Sequence, residues 1–387
     1  MDKNIACIKG GRIILENEVL QDKVIVFNDK IIDILDIRVY EESDIAKKIY
    51  KVIDARGKYV SPGFIDVHIH GAGGKDTMDG GISDLRTISE ALAENGVTAF
   101  LPTTMTMERE KIYKALDAVR SARSESFSGA KILGVHLEGP FISRKRKGAH
   151  DENHIVKPDF QFIENYIDII KIITIAPEED PGFRFIKEAA SRGIVLSMGH
   201  TNSDYETAME AVRNGISSAT HMFNAMPALH HRAPGAAGAV LYSDLSFELI
   251  ADTLHVHPAL FQILLNAKGR GKMILITDAM RACGMRNGCW DLGGREVTVD
   301  NDSARIADGT LAGSILTLNR AVFNMLKHTD LEIHEAVALA SINPARLINM
   351  DGTKGSIEKG KDADLIIFDE RLEVDLSISE GRIIFEK

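Results

Sequence analysis

Between positions 64 and 277 the sequence alternates short apolar runs with amphipathic helical stretches, and this rhythm constrains the fold more than any other feature. The runs are 64–69, 97–101, 132–137, 172–176, 194–198, 216–220, 247–251 and 273–277. Helical periodicity falls between most of them, at 82–94, 109–123, 182–191, 204–213 and 258–267, and again at 315–327 and 333–340. Strands alternating with helices imply parallel βαβ units, and eight of them predict an α/β fold closed as a (β/α)8 TIM barrel. A doubly wound open sheet is the competing architecture. No G-x-G-x-x-G follows the first run, so nothing supports a dinucleotide site.

The two ends of the chain read differently. Segments 5–9, 12–15, 23–27, 31–36 and 50–54 are short β-branched runs broken by turn residues, and 364–368 and 382–385 repeat that style around a turn at Ser379-Glu380-Gly381. Neither end has enough strands to bury a core alone. The economical division is a discontinuous β-domain made of 1–60 and 345–387, with the barrel, 61–344, inserted between them. Ordinary globular usage, 44% hydrophobic and 26% charged, excludes a mainly disordered chain. A net charge of −10 speaks against a nucleic-acid footprint, and three scattered cysteines against a disulfide framework or thiolate zinc site. No apolar run is long enough to span a bilayer and Met1-Asp2-Lys3-Asn4 does not open a leader, so no membrane partner and a cytoplasmic location are expected.

In a barrel of this kind the chemistry gathers where the strands end. The first run ends in His68-Ile69-His70, and the third leads into Glu138. The fifth and sixth lead to His200 and His221, the seventh to His255, and the eighth to Asp278. Eleven of the thirteen histidines lie between 68 and 257, which concentrates them on the barrel. Residues two apart on a strand face the same way, so His68 and His70 form half a metal site on one rigid element. Taken singly, each is as readily an ordinary polar residue of a half-buried strand. Joint placement at successive strand ends favours a site.

The run Pro62-Gly63-Phe64-Ile65-Asp66-Val67-His68-Ile69-His70-Gly71 resembles the opening metal motif of the amidohydrolase superfamily, and 355–365 resembles that superfamily's return to its β-sandwich. His136-Leu137-Glu138-Gly139-Pro140-Phe141, Gly199-His200-Thr201, 221–226, 251–256 and Thr277-Asp278-Ala279 together are similar to the N-acetylglucosamine-6-phosphate deacetylase family within it. The resemblance implies that Glu138, His200 and His221 hold one divalent metal, with a second ion at His68 and His70 in some members. The zinc-or-iron choice stays open for this donor set. Many amidohydrolases bridge two ions with a carboxylated lysine after the fourth strand. Here Lys171 opens that strand and its end reads Ala176-Pro177-Glu178, so Glu138 would be the bridge.

The same resemblance implies hydrolysis of the acetamide of a phosphorylated amino sugar in amino-sugar catabolism. Asp278 would move the water's proton to the leaving amine, with metal ligation as its competing or additional role. His150 would steady the acetyl oxygen. Arg232, the amides around Asn224-Ala225, and His255 would hold the phosphate and sugar. A homodimer is also expected on this basis. The basic run 144–147 is by default a solvated loop, with a weak role in attracting an anionic substrate, and 283–300 is a loop or hairpin over the pocket. Rival readings are a deacetylase of the galactosamine epimer, a deaminase or cyclic-amide hydrolase, and, in a different class, an inactive barrel that only binds. Intact Glu138, His200, His221 and Asp278 weigh against the last.

Overall fold

The computed structural model describes residues 4–125 and 127–387; Met1–Lys3, read above as lacking a leader, lie outside them. The eight apolar runs all contain parallel strands: β1 (Phe64–Ile69), β2 (Val97–Pro102), β3 (Val135–Glu138), β4 (Ile170–Ile175), β5 (Val195–Met198), β6 (Ile216–Ala219), β7 (Ser246–Ile250) and β8 (Met273–Ile276). β3 to β8 pair in chain order as one six-stranded sheet, and β1 pairs with β2, which also pairs with the short strand Lys131–Ile132. The third run is therefore split. Gly134 marks the break: a Cβ there would stand 2.5 Å from the Ile169 carbonyl oxygen, so the backbones approach too closely for any other residue.

Backbone hydrogen bonds join the two sheets on both sides. Thr104 N–H donates to the His136 carbonyl at 3.0 Å, and Asp278 N–H to the His68 carbonyl at 2.9 Å. β1 and β2 are buried throughout, as expected of strands covered on both faces. One large apolar core runs through the eight strands and their helices. Helix Tyr205–Arg213 illustrates the local logic. Asp204 caps it, its carboxylate accepting from Thr207 N–H at 2.8 Å, while Ala208 and Ala211 turn inward.

The chain ends build two further sheets. One has the order Ile31–Asp36, Lys23–Phe27, Ile5–Lys9, Ile49–Asp54. The other runs Arg382–Glu386, Val374–Ser379, Leu365–Phe368, Tyr59–Pro62, Arg12–Ile14, Val19–Leu20, so it interleaves strands from both ends. A second apolar cluster, with Ile8, Ile25 and Phe27 from one end and Leu365, Ile367 and Ile378 from the other, fills the space between them. After β8 comes a three-stranded antiparallel sheet, Gly288–Leu292, Arg295–Asp300 and Ser303–Arg305. No described helix is long and apolar enough to cross a membrane.

Candidate metal centre and substrate cavity

Alternation along β1 turns Asp66, His68 and, just past its end, His70 to one side. Asp66 is consumed structurally: it accepts from His68 N–H at 3.2 Å and from the Thr277 hydroxyl at 2.6 Å, tying β1 to the end of β8. Burial pushes its carboxyl up to about 7, against the pull of those Thr277 and His68 hydrogen bonds. Gly199 sets His200 in place at the end of β5, since a Cβ there would lie 2.6 Å from Thr220. His200, His221, Phe223, Ala225, Thr253 and Asp278 all have positive φ, half of the twelve described non-glycine residues that do. Strain of this kind persists where the surroundings over-determine the backbone, and here it gathers at the strand ends.

Glu138, at the end of β3, lies at the centre of the cluster. Its Oε1 is 3.1 Å from His200 Nε2 and 3.1 Å from His221 Nε2, which are themselves 3.0 Å apart. Its Oε2 is 3.1 Å from His70 Nε2 and 3.5 Å from His150 Nε2. Asp278 Oδ1 stands 3.2 Å from His70 Nε2 and 3.5 Å from His68 Nε2. Two groups of converging ligand atoms result, Glu138/His200/His221 and His68/His70/Asp278, with the Glu138 carboxylate facing both.

The tautomers follow from the partners. His200 Nδ1 donates to the Arg146 carbonyl at 2.9 Å and His68 Nδ1 to Glu248 at 2.9 Å, so the lone pair of each Nε2 is turned toward carboxylate oxygens. Lone pairs facing carboxylates at such distances call for a cation between them. Burial opposes protonation, yet the Glu138, Glu248 and Asp278 carboxylates hold His68 well above the ordinary histidine value. His70 is likewise raised, to about 10, by Asp278 and Glu138 against burial. Asp278 is lowered to about 2, the charge of His68 and the His70 hydrogen bond outweighing its own burial. A metal fits these donors. Zinc with bonds of about 2.0–2.1 Å keeps tetrahedral His and carboxylate atoms about 3.3 Å apart, close to the spacing of the first group.

His150 differs from its neighbours. Its Nδ1 accepts from Thr106 N–H at 3.1 Å, which leaves the proton on Nε2, facing the cluster. Burial lowers its pKa to about 4, so at neutral pH it is an uncharged donor.

The cluster floors a cavity of about 660 Å³ whose wall includes Asn224, Ala225 and His255. His255 is held by Asp252, Nδ1 to Oδ2 at 2.6 Å. The basic turn 144–147 lines the same cavity, as do Leu292 and Arg305 of the post-β8 sheet. Within 283–300, read from sequence as a loop or hairpin over the pocket, Gly288–Leu292 and Arg295–Asp300 form an antiparallel hairpin that reaches the cavity at Leu292. Arg232 is not among the lining residues: it is exposed, with a guanidinium nitrogen 2.7 Å from His231 Nε2.

Glu248 is the buried acid that motif reading passes over. Its sequence signal is a lone carboxylate within the otherwise apolar run 247–251.

A sequence profile described as the amidohydrolase family matches residues 59–384. The chain belongs to the amidohydrolase family. Among its relatives is the N-acetylglucosamine-6-phosphate deacetylase of Bacillus subtilis, 41% identical over 98% of this chain and 96% of that one. The crystal structure of N-acetylglucosamine-6-phosphate deacetylase from Pasteurella multocida matches with a TM-score of 0.92 at 31% identity, covering 98% of this chain and 99% of that one. A mutant deacetylase from Mycobacterium smegmatis, in complex with N-acetyl-D-glucosamine-6-phosphate, matches with a TM-score of 0.89 at 27% identity and 98% and 99% coverage. Membership of this family and the two donor groups together point to a divalent metal.

Proposed function

We infer that the protein hydrolyses the N-acetyl group of N-acetylglucosamine 6-phosphate, releasing acetate and glucosamine 6-phosphate. The observation that carries this is the Glu138 carboxylate, set between two histidine groups on the floor of the cavity, in a chain aligned nearly end to end with deacetylases of that substrate. The inter-sheet bonds on both sides of β1–β2 support a closed (β/α)8 barrel. The mixed sheet supports a discontinuous β-sandwich from 1–60 and 345–387, around a metal-dependent barrel at 61–344. A homodimer, on the strength of the resemblance alone, and a cytoplasmic location complete the reading.

In this reading Glu138, His200 and His221 hold one ion, and His68, His70 and Asp278 a second, with zinc or iron the suited metals. When bound, such a metal polarises an amide carbonyl and lowers the pKa of water toward about 7. The chain's own residues do the rest. Asp278, ionised at neutral pH, takes the proton of the attacking water and returns it to the nitrogen as the C–N bond breaks. His150 donates its Nε2 proton as a hydrogen bond to the acetyl oxygen while negative charge builds there. The Asn224-Ala225 amides and His255 take the sugar and its phosphate. Arg232 belongs to this phosphate proposal by resemblance, from outside the cavity lining.

Acetate release from phosphorylated and unphosphorylated N-acetylglucosamine and N-acetylgalactosamine tests the assignment. The 6-phosphate of N-acetylglucosamine should be the best substrate by orders of magnitude, because charge-assisted contacts contribute about 1.5–3 kcal/mol each. Arg232→Ala should narrow the gap by slowing the phosphorylated sugar. Equal kcat/KM with and without phosphate refutes the phosphate site; preference for the galactosamine epimer moves the assignment to that sugar.

A further inference from the structure

Glu248 lies on β7, inside the barrel sheet, with no solvent exposure. An ionised carboxylate taken out of water is tolerated only when it is paired and hydrogen-bonded. Its Oε2 accepts two hydrogen bonds, from His68 Nδ1–H at 2.9 Å and from the backbone N–H of His221 at 3.2 Å. Its own carbonyl accepts from Met222 N–H at 2.9 Å. One side chain therefore touches a residue of each histidine group, β1 on one side and the segment after β6 on the other.

His136 is also near, with Nδ1 3.8 Å from Glu248 Oε1, and His68, His136 and Glu248 could by proximity be read as a third metal group. The hydrogen bonds argue otherwise. His136 Nδ1 donates to the Val67 carbonyl at 2.9 Å, and its Nε2 faces the Thr174 hydroxyl at 2.8 Å, so both ring nitrogens are engaged. His68 Nδ1 is engaged as well, by Glu248. Two atoms of this group are buried without a hydrogen-bond partner: Glu248 Oε1, which meets only the engaged His136 Nδ1 at 3.8 Å, and His68 Nε2, which lies 3.5 Å from both Glu138 Oε1 and Asp278 Oδ1.

We propose that Glu248 is a positioning residue for a second metal ion: by accepting the Nδ1 proton of His68 it fixes the tautomer that leaves Nε2 bare, and holds that nitrogen toward Asp278 and Glu138. This rests on the two-ion reading of the site and adds to it a carboxylate that contacts no reacting atom. A carboxylate behind a metal-binding imidazole raises the basicity of the ring and fixes its orientation, and removing such a partner typically weakens metal affinity about 10–100-fold. The effect should fall on one ion only. Glu248 reaches the other group through the backbone of His221, not through a ligand atom.

The test titrates zinc into metal-stripped protein and counts bound ions by elemental analysis, in the wild type, Glu248→Gln and Glu248→Leu. The expected result is two ions in the wild type, the weaker one losing about 10–100-fold in affinity in Glu248→Leu, with the tighter one unchanged. Glu248→Gln keeps the shape and an acceptor oxygen and should lose less. Two ions of unchanged affinity in Glu248→Leu overturn the positioning role and leave the two-ion site standing. A wild type that saturates at one ion overturns the two-ion reading and this proposal with it. Should both variants fail to fold, histidine-detected NMR of the zinc-loaded wild type decides. His68, assigned with a His68→Gln sample, must carry its proton on Nδ1; a proton on Nε2 overturns the proposal.

Discussion

Asp278 and His150 occupy one site yet carry opposite assignments, because their surroundings differ. Asp278 sits among histidines that hold its proton off, at about 2, against burial, whereas burial keeps His150 uncharged, at about 4. Replacing Asp278 by Asn preserves its shape but removes its ability to carry a proton. General acid–base work contributes about 10²–10⁴-fold, so kcat should fall by that much in Asp278→Asn, with substrate affinity changed little. If Asp278 serves only to hold metal, saturating zinc restores turnover, and steady-state assays across a metal series separate the two roles. The strand-end residues Glu138, His200, His221, His68 and His70 were legible because each stands at the end of a recognisable apolar run. Glu248 was not, since its importance lies in reaching His68, 180 residues away in sequence.

At the scale of elements, periodicity located all eight parallel strands and failed where periodicity is absent. Helix Gly235–Tyr242 has the sequence Gly-Ala-Ala-Gly-Ala-Val-Leu-Tyr, apolar on nearly every side and glycine-bearing, so it offers no amphipathic stripe. Its burial explains that composition. Strand Val374–Ser379 goes beyond the two expected at the C-terminal end, although Val374, Leu376 and Ile378 do alternate with polar neighbours. Asp204, by contrast, caps a helix that periodicity did locate. Asp204→Ala removes the acceptor of Thr207 N–H and should cost about 0.5–2 kcal/mol in chemical denaturation, without altering kcat. A change below the error of that measurement would mean that water caps the helix equally well.

For the whole molecule, the candidate metal centre would also be a tie. Glu138, His200, His221, His68, His70 and Asp278 stand on or just past the ends of five different strands, so an ion bound among them would link elements that the chain supplies over more than two hundred residues. A ligand that binds only the folded state stabilises it by about 2.7 kcal/mol when present at 100 times its Kd. Metal-stripped protein should therefore melt at least a few degrees lower in calorimetry and recover on adding zinc. An unchanged Tm would mean that no ion binds preferentially to the folded chain. The sequence by itself determined the α/β alternation, the β-rich ends and the strand-end residues, because burial in a parallel sheet imposes apolar runs of set length and turns residues two apart to the same side. Only the tertiary structure decided the rest. It interleaved the two ends in one sheet, split the third run at Gly134, left Arg232 outside the cavity lining and set Glu248 behind His68. Each of these depends on which backbone or side chain comes within a few ångströms of another, and local pattern carries no record of partners distant in sequence.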